Sequence, residues 1–510
     1  MEANERASVV EANSGENTMQ QLSIADKNDQ QQLQQPFSIY SWKQKVAISI
    51  LVSLTGLISP MSGSIYLPGL NAIQEELNTT ATLINLTVTC YMVFQGVSPT
   101  LWGSLSDSWG RRPIYLSTLI VYLGTCVGCA LAPDYASLLV LRMLQAFGSS
   151  SVIALGSGVM SDIALPSERG TLSAYVSSMQ LLGPVIAPII GGAVTEQLDW
   201  RWTFWIMTFY SGILFIAILL FLPETLRILV GNGSGYANPT PFQWFQHHRR
   251  SKHSSNASIE ARPNMDHRSR PNLLAPLLYF LQPELAMILF YYGVIAGVMY
   301  AIMVSIPNLY ASIYGLNELQ VGLCYIPLGV GCVLGAFSNG HLMDKRFKAT
   351  AKKYGLEPPN NKQARFALPG DFPLFQCRLK TLWIYGVVES IVTLTYGWVL
   401  QQHVHIAVPL ILQFLFGICV TATSNAMQTL MIDLNPGKGA SITASNNLSR
   451  CLLGAAASAV IEPGIQGIGV GWMYTTLGLI LVVKSGVLLP TLLIFGSKWR
   501  KARIESSDYH

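Results

Sequence analysis

The chain has 510 residues, of which 50% are hydrophobic and only 12% charged, with a formal net charge of +5 and a mean hydropathy of +0.38. So apolar a composition excludes an ordinary soluble globular protein and describes a polytopic membrane protein. The positive balance does not mark a nucleic-acid binder, because the basic residues are sorted by position along the chain and form no single patch.

Residues 1–43 are polar and glutamine-rich, with no cleavable signal pattern. They read as a disordered cytoplasmic tail, with the first span serving as targeting signal. A spanning helix needs about 20 mostly apolar residues. Twelve such runs follow, at 45–70, 83–102, 114–132, 137–161, 171–194, 203–222, 284–314, 319–340, 381–401, 406–431, 439–461 and 470–496. The expected fold is all-α, with twelve spans in two six-helix bundles, 44–222 and 284–497. A cytoplasmic linker at 223–283, rich in Gly, Ser, His and Arg, joins the bundles. A long basic loop lies at 345–380, and 498–510 form a short basic tail.

Positive residues stay on the cytoplasmic side. Of the 32 Lys and Arg residues, 28 fall on the side of the two termini, one (Arg201) falls opposite, and Arg142, Arg450 and Lys484 lie inside spans. Both termini are therefore expected inside, with Asn78-Thr79-Thr80 as an outer glycosylation sequon. Seven of the eight cysteines sit in apolar runs, which argues against a disulfide framework.

Between spans 2 and 3 stands GSLSDSWGRRP, Gly103 to Pro113. Glycines permit a tight turn, an aspartate binds the positive end of a helix, and paired arginines hold carboxylates or headgroups. Gly103, Asp107, Gly110, Arg111 and Arg112 can thus form a latch, or simply fix topology. A partial copy, GHLMDKR, keeps the glycine-to-aspartate spacing at Gly340 and Asp344 but lacks the Gly-Arg-Arg. Span 4 carries LVLRMLQAFGSSS, and a mid-membrane arginine such as Arg142 faces a cavity or a partner. Span 5 carries LLGPVIAPIIGG, where Gly183, Pro184, Pro188, Gly191 and Gly192 permit kinking and close helix contact.

These stretches resemble the loop signature, the span-4 motif and the antiporter motif of the major facilitator superfamily. With Ser64-Ile-Tyr-Leu-Pro68, Leu222-Pro-Glu-Thr-Leu-Arg227 and the span-11 run from Ala444 to Ala455, the chain is similar to twelve-span fungal drug:proton antiporters. Within these it resembles the quinidine-resistance and weak-acid-resistance group. The resemblance implies a loop that latches the halves, Asp107 and Arg111 reaching toward the C-terminal half, and a link between Arg142 and proton coupling. It covers the spans and leaves out the tail, the linker and the loop after span 8.

Many relatives carry a carboxylate in span 1 or 4, and here there is none. Asp162 and Asp433 end spans 4 and 10. Glu389 in span 9 reads as the only acid deep in a span, so Asp162 and Glu389 join Arg142 as proton-coupling candidates. Glu389 is expected to pair with Lys484 of span 12 as a structural ion pair, with a proton carrier as the alternative. Substrate-cavity candidates are Tyr91, Gln95, Gln145, Gln180, Tyr292, Asn308, Gln413, Asn425, Asn446, Asn447 and Arg450; each is equally a candidate for interhelical hydrogen bonding.

The sequence has no phosphate loop, metal-ligand cluster or nucleophile elbow, so neither an enzyme nor a metal, nucleotide or other cofactor is expected. The function read from it is proton-driven export of amphipathic organic compounds by alternating access. The substrates implied are quinidine-like cations, weak organic acids, amino acids or polyamines. The partners are a small molecule, protons and the bilayer, with the protein a monomer in the plasma membrane rather than the vacuole. A nutrient uniporter or symporter and a non-transporting sensor are the alternatives.

Overall fold

The computed structural model describes residues 38–164, 166–233, 235–245, 275–353, 372–435 and 439–507. Most of the tail, much of the central linker and residues 354–371 of the loop after span 8 lie outside them. Among the described residues the regular structure is all helical, without a strand.

Among the described residues, eleven helices are long and apolar enough to cross a membrane, and Pro166–Gln197, 32 residues long, completes twelve spans. Span 1 is Trp42–Ser64, started by a capping box in which Ser41 Oγ accepts from Gln44 N and Gln44 Oε1 accepts from Ser41 N. A short outer helix, Leu70–Glu76, leads to span 2, Ala81–Trp109. Span 3 is Arg111–Ala130, and span 4, Tyr135–Ile163, is broken at Ser150. Spans 5 and 6 are Pro166–Gln197 and Arg201–Phe221.

The second bundle repeats the plan. Span 7 is Pro283–Tyr314, stopped by Gly315 in the left-handed region (φ 65°). Span 8 comprises Glu318–Leu323 and Ile326–Lys353. Spans 9 to 11 are Leu382–Gln401, Ala407–Leu434 and Gly439–Ile468. Span 12 runs from Val470 to Ser507, with a π-helical turn at Lys484–Leu488.

Several spans outrun their expected ends, span 2 reaching Trp109 and span 12 Ser507, and two further extensions change which residues lie in the spans. Span 8 continues as helix thirteen residues past 340, because its lysines lie in the last turns, where cations suit the helix dipole and water. Span 11 runs past 461 to Ile468 even though Pro463 lies inside it, so Glu462 becomes part of the span.

The apolar core has three parts. One joins the two bundles and includes Tyr66, Leu70 and Trp200 with Ile302, Val321, Tyr396 and Tyr474. The other two are confined to one bundle each: Val52, Tyr115, Val159 and Ile218 in the first, and Leu289, Leu382, Met427 and Leu492 in the second. The shared core lies toward the ends that the charge distribution assigns to the outside. The bundles thus close on each other outside and keep separate cores inside.

Candidate functional site: a central polar seam and a cytoplasmic clasp

Arg142 is fully buried where spans 1, 2 and 4 meet. Its guanidinium lies 4.4 Å from the Tyr66 ring centroid and 4.3 Å from that of Tyr91. Nη1 donates to Ser62 O (3.2 Å) and Gln145 Oε1 (2.6 Å), while Nε and Nη2 have no hydrogen-bond partner. Aromatic faces attract cations, so the charge is held without a carboxylate. Tyr91 is fixed in turn by Ser59 O (3.3 Å) and Ser149 Oγ (3.0 Å).

From there a polar seam crosses to the second bundle. Gln95 Nε2 donates to Ser59 Oγ (3.0 Å), and Asn447 Nδ2 of span 11 donates to Gln95 O (3.1 Å). Arg450 donates to Asn447 Oδ1 (2.7 Å) and to the Tyr300 hydroxyl (2.8 Å), with Tyr292 close by. Tyr91, Gln95, Gln145, Tyr292, Asn447 and Arg450 therefore do gather around one seam, with Asn446 buried beside it. Sequence reading does not name Tyr66 or Tyr300 as a site residue: Tyr66 stands in the Ser64–Pro68 motif without a role assigned to it, and Tyr300 has no signal beyond being aromatic.

Other expected cavity residues fall elsewhere. Gln413 is buried, with Nε2 donating to the hydroxyls of Tyr310 (2.8 Å) and Tyr396 (3.0 Å), so it ties together spans 7, 9 and 10. Asn308 donates to Glu462 Oε1 (2.8 Å) near the outer end. Asn425 is half-buried on span 10, its carbonyl accepting from Thr429 Oγ1 (2.7 Å). The side chains of Gln180 and Asp344 lie outside the described residues.

The antiporter-like motif is a contact surface. A Cβ on Gly191 would strike the Ile65 carbonyl of span 1, and one on Gly192 would strike the Glu318 carbonyl of span 8. Adjacent glycines thus let span 5 press against its own bundle on one side and against the other bundle on the next. Gly183 packs on Pro60, and the Pro188 carbonyl faces Gly322. Pro184 is half-buried in the same helix.

At the cytoplasmic end the expected turn shrinks to one residue, since span 2 stays helical to Trp109 and span 3 starts at Arg111, and the stretch Gly103–Pro113 forms a clasp within the first bundle. Gly110 has φ 111°, and a Cβ there would meet Glu224 Oε2. Glu224 Oε1 accepts from the backbone N–H groups of Arg111 (2.8 Å), Thr225 (2.9 Å) and Leu226 (3.0 Å). It thereby occupies the positive start of span 3. Arg111 bonds Asp107 Oδ1 (2.7 Å) and Asp162 Oδ2 (3.1 Å), and Arg112 donates to three carbonyls, those of Leu219, Asn238 and Pro239. In this conformation Asp107 and Arg111 therefore do not reach the C-terminal half: the guanidinium is already occupied. Nothing lies within 4 Å of a Cβ on Gly103.

The second bundle has a counterpart. Arg378, just before span 9, bonds Asp433 at the end of span 10 through Nε (3.0 Å) and Nη2 (2.9 Å). Deeper, Lys484 bonds Glu389 in a fully buried ion pair, with Nζ 4.2 Å from the Tyr291 ring centroid. The expected pairing is present, on scaffold spans 9 and 12. Outside, Asn78 is exposed in a left-handed turn (φ 48°).

Two related bundles, sealed outside around a polar seam and each pinned inside by its own clasp, have the build of a membrane transporter. The Major Facilitator Superfamily model matches residues 52–459. The chain belongs to that superfamily, whose members are transporters and not enzymes. It is 34% identical over 475 residues to citrate exporter 1 of Aspergillus niger, covering 92% of this chain and 89% of that protein. It is 31% identical over 477 residues to the multidrug transporter QDR2 of Candida glabrata, covering 88% and 80%. The fold matches the inward-open, partially occluded xylose transporter XylE of E. coli with a TM-score of 0.60 and 14% identity, over 88% of this chain and 97% of that one.

Proposed function

We propose that the protein is a proton-coupled antiporter of the plasma membrane that, as a monomer, exports amphipathic organic compounds, with weak organic acids as its foremost substrates. The observation that carries this reading is the pair Arg142 and Arg450. Both lie in the membrane interior, and their hydrogen bonds go to neutral groups: Ser62 and Gln145 for Arg142, Tyr300 and Asn447 for Arg450. A buried cation without a counter-ion is costly, so the seam favours an organic anion, while tyrosines offer apolar faces to the rest of the molecule. The citrate exporter among its relatives supports the acid, and the multidrug relative supports breadth. With no nucleotide motif in the sequence, a gradient drives the cycle, and the span-5 motif favours exchange over symport.

Inside-out vesicles test this reading directly. Labelled di- and tricarboxylates should accumulate when the lumen is acidified and stop when a protonophore is added, and Arg450→Gln should lose acid uptake. Equilibration indifferent to the proton gradient would leave a uniporter, and no uptake of any acid would leave the seam without its substrate class.

A further inference from the structure

Export driven by a proton gradient needs a group that meets protons from outside, and the residues already described do not provide one. Glu389 is locked to Lys484, while Asp162 and Asp433 are clasped by arginines on the cytoplasmic side. Glu462 differs. It is 3% exposed, in span 11, six residues before the outer end of that helix, or about 9 Å at 1.5 Å per residue.

The groups that face it are neutral. Asn308 Nδ2 of span 7 (2.8 Å) and Gln466 Nε2 one turn on (3.0 Å) both donate to Oε1, and Tyr474 of span 12 stands near. Span 2 brings the Thr89 hydroxyl to Ser458, one turn toward the centre (3.3 Å). The outer halves of spans 2 and 10 carry no charged residue. On the outer side, Glu76 is held by Arg201 and Trp200, and Glu318 is hydrogen-bonded to Glu196 with Glu75 in the same neighbourhood.

Glu462 also sits at the joint that closes. It precedes Pro463 in span 11, and Asn308 follows Pro307 in span 7. Each proline removes a helix hydrogen bond and makes a flexing point. The Pro307 carbonyl in turn accepts from Asn71 Nδ2 of the first bundle (3.2 Å). One short path therefore runs from the carboxyl through span 7 to the contact between the bundles.

We propose that Glu462 is the outer proton acceptor of the cycle: with the outer side open it takes a proton from water, and the neutral acid is then buried as that side closes. The step balances simply, since hydronium gives its proton to Oε2 and leaves water, while Oε1 keeps both amide donors. Burying an unpaired carboxylate anion is costly and burying the acid is far less so, so closure follows proton uptake. The proposal rests on the proton-coupled reading above.

The test measures the opening itself. Spin labels at Glu75→Cys and Ser312→Cys, exposed positions on the outer ends of the two bundles, are placed in the full chain with its native cysteines replaced and reconstituted in nanodiscs. In the otherwise native chain the label distance should lengthen from acidic to alkaline pH. Glu462→Gln, near-isosteric and permanently neutral, should stay short throughout, and Glu462→Asp should restore the shift. A native distance indifferent to pH, or a Glu462→Gln chain that opens with pH as the native one does, overturns the proposal. Gradient-driven uptake in inside-out vesicles is measured in parallel. Its absence in the native chain sinks the antiport reading, whereas its survival in Glu462→Gln sinks only the role of Glu462.

Discussion

Arg378 holds Asp433 in the second bundle as Arg111 holds Asp162 in the first: each arginine stands at the start of the third helix of its bundle and each aspartate ends the fourth. The clasp repeated in sequence is thus repeated in space, but with different spacing. Arg111 follows Asp107 by four residues, whereas Arg378 follows Asp344 by thirty-four. Arg378 thus takes in space the place of Arg111, although the second copy of the motif lacks that arginine.

The two clasps should therefore respond alike. Charge-assisted hydrogen bonds are worth about 1.5–3 kcal/mol, so Arg378→Ala and Arg111→Ala should each destabilise the purified protein by roughly that amount and slow transport. Melting in detergent checks this, with Asp433→Asn expected to match Arg378→Ala. A harmless Arg378→Ala would leave the second clasp decorative.

Asp107→Asn should separate stability from conformation. Its side chain is 62% exposed, and Arg111 keeps Asp162 without it. An exposed pair contributes about 0–1 kcal/mol, so the melting temperature should hardly move. Labelling of cytoplasmic-side cysteines should nevertheless rise if Asp107 serves the outward-facing state; unchanged labelling and transport would remove the residue from the latch.

Glu389→Gln leaves Lys484 buried without its partner. Breaking one half of a buried pair typically costs about 3–5 kcal/mol, so expression should fall far more than transport per folded molecule. Glu389→Gln with Lys484→Met should recover most of the stability. A well-folded Glu389→Gln protein that has lost proton coupling would contradict the structural role.

Gly191→Ala should block close packing of span 5 on the Ile65 carbonyl, at about 1–3 kcal/mol for an overpacked contact. Gly103→Ala, which meets nothing here, should fold with native stability. Comparing the two by melting and vesicle uptake shows which glycine serves this conformation. Normal folding with lost transport in Gly103→Ala would place its close contact in the opposite state.

Much of the site was legible because the bilayer makes charge conspicuous. Arg142, Glu389 and Lys484 stood out in apolar runs, and depth alone suggested the ion pair. Glu462 was missed because the sequence reading ends span 11 at 461, whereas the helix runs on through Pro463 to Ile468. Gln413 was legible as a membrane polar residue, but its tyrosine partners come from spans 7 and 9, so its role as a tie could not be read locally.

The sequence by itself determined the twelve spans, the side of the membrane on which the loops lie and the superfamily, because hydropathy, loop charge and short motifs are local properties. Only the tertiary structure decided what the charged groups do. It turned Glu224 onto the start of span 3, gave Asp433 an arginine from beyond the insert, left Arg142 between two tyrosine rings with no acid, and closed the outer side over Glu462. The physical reason is that a charge in a low-dielectric interior takes its meaning from its nearest neighbours, and here those neighbours come from other helices.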